Sequence, residues 1–295
     1  MNIVAYVDEA GKMGYSRNLV SDHDNMLGVM CALAYPSEYL DEMREAYRDG
    51  FNRFCAAAPQ GAKIHFTDAF KPGNEAWAAV AGSVREEFFE LIRSQQVPVI
   101  YDARRLLLER EAHERLEALK MKAKAAKRSR IRIPETDRPS TERIETQIIQ
   151  GLALKLEVLA EELNRDCVDL YFDEIDIELR RHYEQTIDGL RNIATSSHIV
   201  KGWDPDTRQE VSGTISFSVR TPPFEMDVKR IGRVIVAGKS DPLVLATDAV
   251  SNALHYHLLK CLPTNAKLNA PSSIEAWVLG DRVWGVRDDA FEDII

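Results

Sequence analysis

The chain opens with an apolar run that ends abruptly in acidic residues. Residues 3–7 are all apolar or aromatic, Asp8 and Glu9 follow directly, and Gly11 comes two positions later. A run of this kind predicts a buried β-strand, and its end places carboxylates at an edge of the predicted sheet. We expect the rest of the fold to be arranged around this strand.

A second stretch of the same build lies far downstream. Residues 168–172 predict another strand, and Asp173 and Glu174 follow it. Side chains alternate between the two faces of a strand, so only one carboxylate of each acidic pair can share a site with the other strand. If the two strands are neighbours, Asp8 and Asp173 lie about 5 Å apart, close enough to share a divalent cation or to repel each other strongly.

The remaining pattern predicts an α/β protein. Apolar runs predict further strands, and apolar residues at helical spacing predict amphipathic helices, the first of them capped by Ser37. The further strands are Met26–Tyr35, Val97–Tyr101 and Arg233–Ala237, with a hairpin within His198–Thr221. The predicted helices are Tyr39–Phe51, Trp77–Ile92, Arg104–Lys127, Ile144–Leu159, Ile175–Ile193 and Leu243–Lys260.

Composition is that of an ordinary globular protein. The 295 residues are 45% hydrophobic and 29% charged, and no apolar run approaches the roughly 18 residues of a membrane span. The N-terminus leads straight into the first strand, so we expect no leader peptide, no membrane contact and a cytoplasmic location. The four cysteines are widely spaced without a C-x-x-C pair, which favours core thiols over disulfides or zinc ligands.

Charge is distributed unevenly along the chain. The net charge of −9 argues against a protein that coats nucleic acid, yet seven cations occupy thirteen consecutive positions with no acid between them. This basic run fits a solvated helix end, and it fits equally an arm that binds nucleic-acid phosphates without sequence preference. The seven residues are Lys120, Lys122, Lys124, Lys127, Arg128, Arg130 and Arg132.

The last predicted helix carries polar residues on one side. Asp248, Asn252 and His255 recur at i, i+4 and i+7, opposite an apolar stripe. One interpretation is a solvated face. The other is that Asp248 joins Asp8 and Asp173 as a third carboxylate, and three oxygen donors suit Mg²⁺ or Mn²⁺ better than zinc.

Two other polar groups bear on the chemistry. His65 and Asp68 fall in a linker between helices, and we expect them near the acidic cluster, with His65 as a proton carrier or an orienting group. Gly238-Lys239-Ser240 resembles the end of a phosphate-binding P-loop. Strand-like residues 234–236 take the place of that loop, which excludes a P-loop NTPase.

The order and spacing of three short motifs resemble domain-of-unknown-function family 3800. The motifs are Asp8-Glu9-Ala10-Gly11, Tyr171-Phe172-Asp173-Glu174 and Leu245-Ala246-Thr247-Asp248-Ala249-Val250. Members of that family are regarded as ribonuclease-H-like and are often found among bacterial, phage and mobile-element proteins. The chain resembles a divergent member, because Ala10 stands where serine is usual and the usual glutamine before Asp248 is missing.

The resemblance implies a ribonuclease-H-like central mixed sheet flanked by helices, with helical insertions. The domain would cover residues 1–262, with a basic helical insertion near 104–140, and a C-terminal tail over 263–295 would dock on it. The acidic strand ends would converge to form a site for two divalent ions.

The resemblance also implies a division of roles within that site. Asp8, Asp173 and Asp248 would be the ligands of Mg²⁺ or Mn²⁺, and Glu9 or Glu174 would assist them. Many such nucleases add a glutamate from a helix, and the sequence leaves three candidates open. They are Glu142, Glu145 and Glu157.

The function predicted on these grounds is that of a metal-dependent phosphodiesterase, a nuclease acting on RNA or DNA. The alternative is a non-catalytic nucleic-acid-binding or scaffold module of a defence or mobile-element system. A hydrolase of nucleotides or other small phosphate esters is a third class, favoured if the net acidity excludes polynucleotides.

Overall fold

The protein is described by a computed structural model that covers residues 1–11, 27–105, 118, 141–191, 196–204, 209–217, 228–261, 273–274, 277–278 and 283–285. Side chains are described within 1–11, 27–105, 145–191 and 228–260. The predicted basic run, Lys120 to Arg132, lies outside the described residues, so its role as a nucleic-acid-binding arm stays a prediction.

A central sheet is built from strands of both directions. The described strands are β1 (Asn2–Gly11), β2 (Leu27–Pro36), β3 (Val99–Arg105), β4 (Cys167–Asp173), β5 (Ser196–Asp204), β6 (Gln209–Phe217), β7 (Ile231–Ala237), β8 (Ser273–Ile274), β9 (Trp277–Val278) and β10 (Val283–Gly285). Six of them form the sheet, in the order β10-β3-β2-β1-β4-β7. β2 runs antiparallel to β1 and β3, whereas β4 runs parallel to β1 and β7. The predicted mixed sheet is therefore confirmed.

Helices cover both faces of this sheet. Those within the described residues are α1 (Leu40–Ala57), α2 (Phe66–Ala69), α3 (Glu75–Ser94), α4 (Thr141–Glu162), α5 (Ile177–Arg191) and α6 (Pro242–Cys261). α1, α3 and α6 bury Tyr47, Trp77 and Leu254 in one core, and α4 and α5 bury Leu152 and Tyr183 in a second core. The protein is a mixed α/β fold whose sheet is flanked by helices.

Side chains of β1 alternate between the two cores. Val4 and Tyr6 belong to the core under α6, whereas Ile3, Ala5 and Val7 belong to the core under α4 and α5. Because a strand has a period of two, the next even position, Asp8, faces α6, and Glu9 faces the opposite side. The central strand thus sends one carboxylate to each face of the sheet.

Two predicted helix starts are wrong. Residues 104 and 105 belong to β3 rather than to a helix, because Arg104 pairs with Gly28 of β2 and its Nε donates to Asp102 Oδ2 at 3.1 Å. Ser37 begins a 3-10 turn (Ser37–Tyr39) and makes no capping bond, since its hydroxyl contacts the neighbouring Glu38 side chain instead. The local sequence pattern does not show the contacts that override these two helix starts.

One other prediction, the hairpin, is confirmed. The region from His198 to Thr221 contains an antiparallel hairpin formed by β5 and β6. The C-terminal tail contacts the sheet through β10, which pairs in parallel with β3 so that Trp284 lies opposite Ile100. The apolar residues of the tail therefore include a strand of the main sheet.

Candidate metal centre at the ends of β1 and β4

The two acidic strand ends lie side by side. β1 and β4 are parallel neighbours, and their register pairs Tyr6 with Tyr171 and Val7 with Phe172. The next residue of each strand is Asp8 or Asp173, and both continue the face on which Tyr6 and Tyr171 lie in contact. The spacing of neighbouring strands places the two Cα atoms about 5 Å apart. The predicted convergence of these strands is confirmed.

α6 covers this edge of the sheet and brings Asp248 to it. Asp248 is 6% exposed and the nearby Ser251 is fully buried, so the interpretation of this helix face as solvated is wrong. The helix can approach closely because the residues around Asp248 are small, Ala246 and Ala249 among them. Periodicity identified the polar side of α6, but it could not show that this side packs on the sheet.

The start of α6 is fixed by a partly buried polar contact with β1. Asp241 Oδ2 accepts hydrogen bonds from Tyr6 Oη at 2.6 Å and from Arg44 Nε at 3.0 Å. Asp241 Oδ1 accepts from the backbone N–H of Leu243 at 3.1 Å, which caps the first turn of the helix. This contact sets the position of Asp248 relative to β1.

The C-terminal end of β1, which carries the acidic pair, also meets α6 closely. Gly11 has φ +82, and a Cβ built there would lie 2.2 Å from the carbonyl oxygen of Leu27 and 2.4 Å from His255 Nε2. Only glycine tolerates both the backbone angle and the contact. The Asp8-Glu9-Ala10-Gly11 motif therefore lets the helix pack against the acidic end of the strand.

The Asp248 carboxylate is held in one orientation. Its Oδ2 accepts from the backbone N–H of Phe66 at 2.6 Å, and its Oδ1 accepts from the side-chain amide of Asn252 one turn later. Burial raises the pKa of Asp248 to about 6, although the Phe66 hydrogen bond and the nearby His65 oppose the rise. The group titrates near neutral pH.

His65 lies between two of the carboxylates. Its Nδ1 is 3.8 Å from Asp248 Oδ2, and its Nε2 is 4.0 Å from Asp173 Oδ2. The predicted location of His65 beside the acidic cluster is therefore confirmed. Asp68 is directed elsewhere, because its carboxylate pairs with Lys71 and its carbonyl oxygen accepts from the Asn74 side chain at 2.8 Å.

Asp8 is buried at the base of the site. Its Oδ2 accepts a hydrogen bond from the Ser251 hydroxyl of α6. Burial raises the pKa of Asp8 well above its usual range, and the negative charge of Asp248 raises it further. The two carboxylates are therefore close enough to repel each other.

Asp173 is the least satisfied of the three carboxylates. Burial raises its pKa, while the interactions with His65 and Lys239 oppose the rise. Its Oδ1 is buried and has no hydrogen-bond partner among the described residues. A buried carboxylate oxygen without a partner carries a free-energy cost that a bound cation would remove.

The second acid of each pair lies outside this cluster. Glu174 is exposed and forms an ion pair with Lys239 at the rim, at 2.9 Å between Oε2 and Nζ. Glu9 faces the other side of the sheet, where it accepts a hydrogen bond from the Tyr183 hydroxyl and where burial raises its pKa. The structure thus separates Glu9 from Asp8, Asp173 and Asp248.

The candidate helical glutamates do not join the three aspartates in any described contact. Glu157 is buried and binds the backbone N–H groups of Arg230 and Ile231, which fixes the start of β7. The negative charge of Glu145 acts on Tyr183, on the Glu9 side of the sheet. The side chain of Glu142 lies outside the described residues.

Several contributors to the site were missed at the level of sequence. Ser251 and the Phe66 N–H bind its carboxylates, and Lys239 lies at its rim. The spacing of Ser251, three residues after Asp248, was a usable signal on a helix. Phe66 begins the short helix α2 and Lys239 lies in the loop before α6, and a periodic pattern does not show where such short segments lie in the fold.

The donor set fits a hard divalent cation. Asp8, Asp173 and Asp248 supply oxygens alone, and one of these oxygens is buried without a partner. Among the described side chains, no group of three or more His, Cys, Asp or Glu residues is arranged so that it could hold a metal ion. The three described cysteines are free thiols; Cys31 is buried, as predicted for a core thiol, whereas Cys55 and Cys167 are only partly buried.

Comparisons with known proteins identify no relative. No family model, no curated protein and no solved structure matches the chain. Within the described residues, no helix has the length and apolar character that crossing a membrane requires.

Proposed function

We propose that the protein is a phosphodiesterase dependent on Mg²⁺ or Mn²⁺, a nuclease acting on RNA or DNA. The observation that carries the proposal is the gathering of Asp8, Asp173 and Asp248 from two strands and a helix. Among the described residues, none of the three forms an ion pair with lysine or arginine, and Asp173 Oδ1 is buried without a partner. A structural cluster of acids would be neutralised by such partners.

The three aspartates would hold the metal, and the groups around them keep their oxygens in place. Ser251 fixes Asp8, while the Phe66 N–H and Asn252 fix Asp248. Divalent ions bound there would activate a water and stabilise the leaving oxygen of a phosphodiester. His65 is partly exposed and within 4.0 Å of two carboxylates, so it can orient them or hold a proton at a ring nitrogen.

A ribonuclease-H-like fold and membership of family 3800 belong to the same proposal. The mixed sheet and the convergence of its acidic strand ends under a helix support them. Nucleic acid as the partner is supported by the basic run, Lys120 to Arg132, in the sequence.

Cleavage assays on single-stranded and duplex RNA and DNA test the proposal. We expect cleavage with Mn²⁺ or Mg²⁺ and none in a chelator, and we expect Asp173→Asn to lower the rate by about 100-fold or more. Asp49→Asn is the matched control, because the Asp49 side chain is 86% exposed on α1. Equal cleavage by Asp173→Asn would contradict the proposal.

Two other experimental outcomes would support the alternative functions. Binding of oligonucleotides without cleavage under any of these conditions would favour a non-catalytic module. Hydrolysis of a small phosphate ester, with no action on oligonucleotides, would favour the third class of function.

A further inference from the structure

We propose that Lys239 is a phosphate-binding residue of the acidic site, and that the substrate's phosphodiester replaces Glu174 as its partner. The proposal rests on the nuclease function proposed above and names the residue that would receive the negative charge of the polynucleotide.

Lys239 reaches the site because of the sheet topology. Ala237, the last residue of β7, pairs with Asp173 at the end of β4. Lys239 follows two residues later, in the loop that leads from β7 into α6. The same loop continues to Asp241, which fixes the helix start against Tyr6. The lysine is thus carried on a short connection between β7, the strand that pairs with Asp173, and α6, the helix that supplies Asp248.

The surroundings of the Lys239 ammonium are acidic. Its Nζ lies 2.9 Å from Glu174 Oε2, and the charges of Asp173 and Asp248 act on it as well as that of Glu174. The positive charge of Lys239 in turn opposes the rise in the pKa of Asp173. Contact with Glu174 and mutual interaction with Asp173 place the ammonium at the edge of the proposed metal centre.

The partner of Lys239 is exchangeable. The Glu174 side chain is 62% exposed, whereas that of Lys239 is 28% exposed. An ion pair with one partner in solvent contributes little to stability, because water competes for both charges. A phosphodiester that enters from the solvent side can therefore take the place of Glu174 at small cost.

A cation at the position of Lys239 would offset the repulsion between the substrate and the carboxylates. A phosphodiester is negatively charged, and three carboxylates repel it wherever bound metal does not fully offset them. A lysine ammonium binds phosphate oxygens as a point charge from varied directions. Lys239 would attract the backbone of any polynucleotide without reading its sequence.

The rival explanation is a structural tie between the β7–α6 loop and β4. The two explanations predict different effects of the two substitutions on substrate binding. If the Lys239–Glu174 pair only holds the loop, removing either partner has the same effect. If Lys239 binds substrate, removing Lys239 weakens binding, whereas removing Glu174 frees the lysine and strengthens it.

The experiment compares Lys239→Gln, Lys239→Arg and Glu174→Gln with the full-length wild type. Steady-state cleavage of a single-stranded oligonucleotide that the wild type cleaves, assayed in Mn²⁺, gives KM and kcat. We expect KM to rise about tenfold in Lys239→Gln, to stay near wild type in Lys239→Arg, and to fall in Glu174→Gln. Equal increases in KM for Lys239→Gln and Glu174→Gln would overturn the proposal, as would an unchanged KM in Lys239→Gln.

Thermal melting with Mn²⁺ alone separates this proposal from the metal site itself. Lys239→Gln should be stabilised by Mn²⁺ at least as much as the wild type, because a competing cation has been removed. A normal Mn²⁺ response without the opposite changes in KM refutes the role of Lys239 and leaves the metal centre standing. Absence of both wild-type cleavage and a Mn²⁺ response refutes the two together.

Discussion

Asp8 of β1 and Asp173 of β4 lie at neighbouring positions on one face of the sheet, and they directly follow the paired residues Val7 and Phe172. Neither forms an ion pair with a lysine or arginine among the described residues, and burial raises the pKa of both. Like charges at this separation oppose folding when both are ionised. Without a cation, the pair therefore costs folding free energy that a bound metal would recover.

Neutralising one of these carboxylates should stabilise the metal-free protein. A group whose pKa is raised in the folded state binds its proton more tightly there, so its contribution to stability is lost as pH rises. The loss begins near the ordinary value of 3.8 and continues as pH rises through the raised pKa of each carboxyl, which for Asp248 is about 6. We expect Asp8→Asn and Asp173→Asn to be more stable than wild type by up to about 1 kcal/mol at pH 8.

The pH dependence supplies the control for that prediction. Because the pKa values of both carboxyls are raised, more of each is protonated at pH 4 than at pH 8, so the advantage of both variants should shrink. Urea unfolding in a chelator at the two pH values measures the difference. A loss of 1 kcal/mol or so at pH 8 would indicate structural acids.

Asp248→Asn should behave differently from Asp8→Asn. The two oxygens of Asp248 accept from the Phe66 N–H and from Asn252, and an amide has one acceptor oxygen in place of two. Asp8 accepts from Ser251, a bond that an amide oxygen can keep. We expect Asp248→Asn to be less stable than Asp8→Asn by about 1 kcal/mol in metal-free urea unfolding. Equal stabilities would show that the Phe66 and Asn252 contacts contribute little.

The sequence predicted part of the acidic site, and the geometry of the site explains which part. Apolar runs that end in Asp8 and Asp173 identified two strands, and alternation correctly assigned one acid of each pair to a shared face. Asp248 remained open because helical spacing defines a polar side without showing what packs on it. Lys239 could not be assigned, because its position depends on the pairing of Ala237 with Asp173, which joins elements distant in sequence.

Arg104 shows a second limit. Charged residues at helical spacing predicted a helix from this position, yet pairing of Arg104 with Gly28 extends β3 through it. The contact of Arg104 with Asp102 also compensates a buried charge within β3 itself. Local propensity gave way to a tertiary contact that the local pattern does not encode.

Glu9 should not contribute to the metal response. It faces the Tyr183 side of the sheet and accepts a hydrogen bond there, which an amide oxygen can also accept. We expect Glu9→Gln to keep the Mn²⁺-dependent rise in melting temperature of the wild type. A rise reduced as strongly as in Asp173→Asn would place Glu9 in the site, as the family resemblance allowed.

The basic run should govern affinity for polynucleotides. Replacement of Lys124, Lys127, Arg128 and Arg130 by Gln should weaken binding to a similar extent for all sequences and flatten its dependence on salt concentration. Fluorescence anisotropy with unrelated oligonucleotides at several salt concentrations measures both effects. An unchanged salt slope would remove the basic run from the mechanism.

The most direct test of the metal centre is the melting temperature in the presence and absence of Mn²⁺. At a Mn²⁺ concentration of about 100 times Kd, mass action should raise the melting temperature of the wild type by about 5 °C. Asp8→Asn, Asp173→Asn and Asp248→Asn should each lose most of that increment, while Asp49→Asn should keep it. A wild-type melting temperature that Mn²⁺ and Mg²⁺ leave unchanged, together with destabilisation by all three substitutions, would contradict the account.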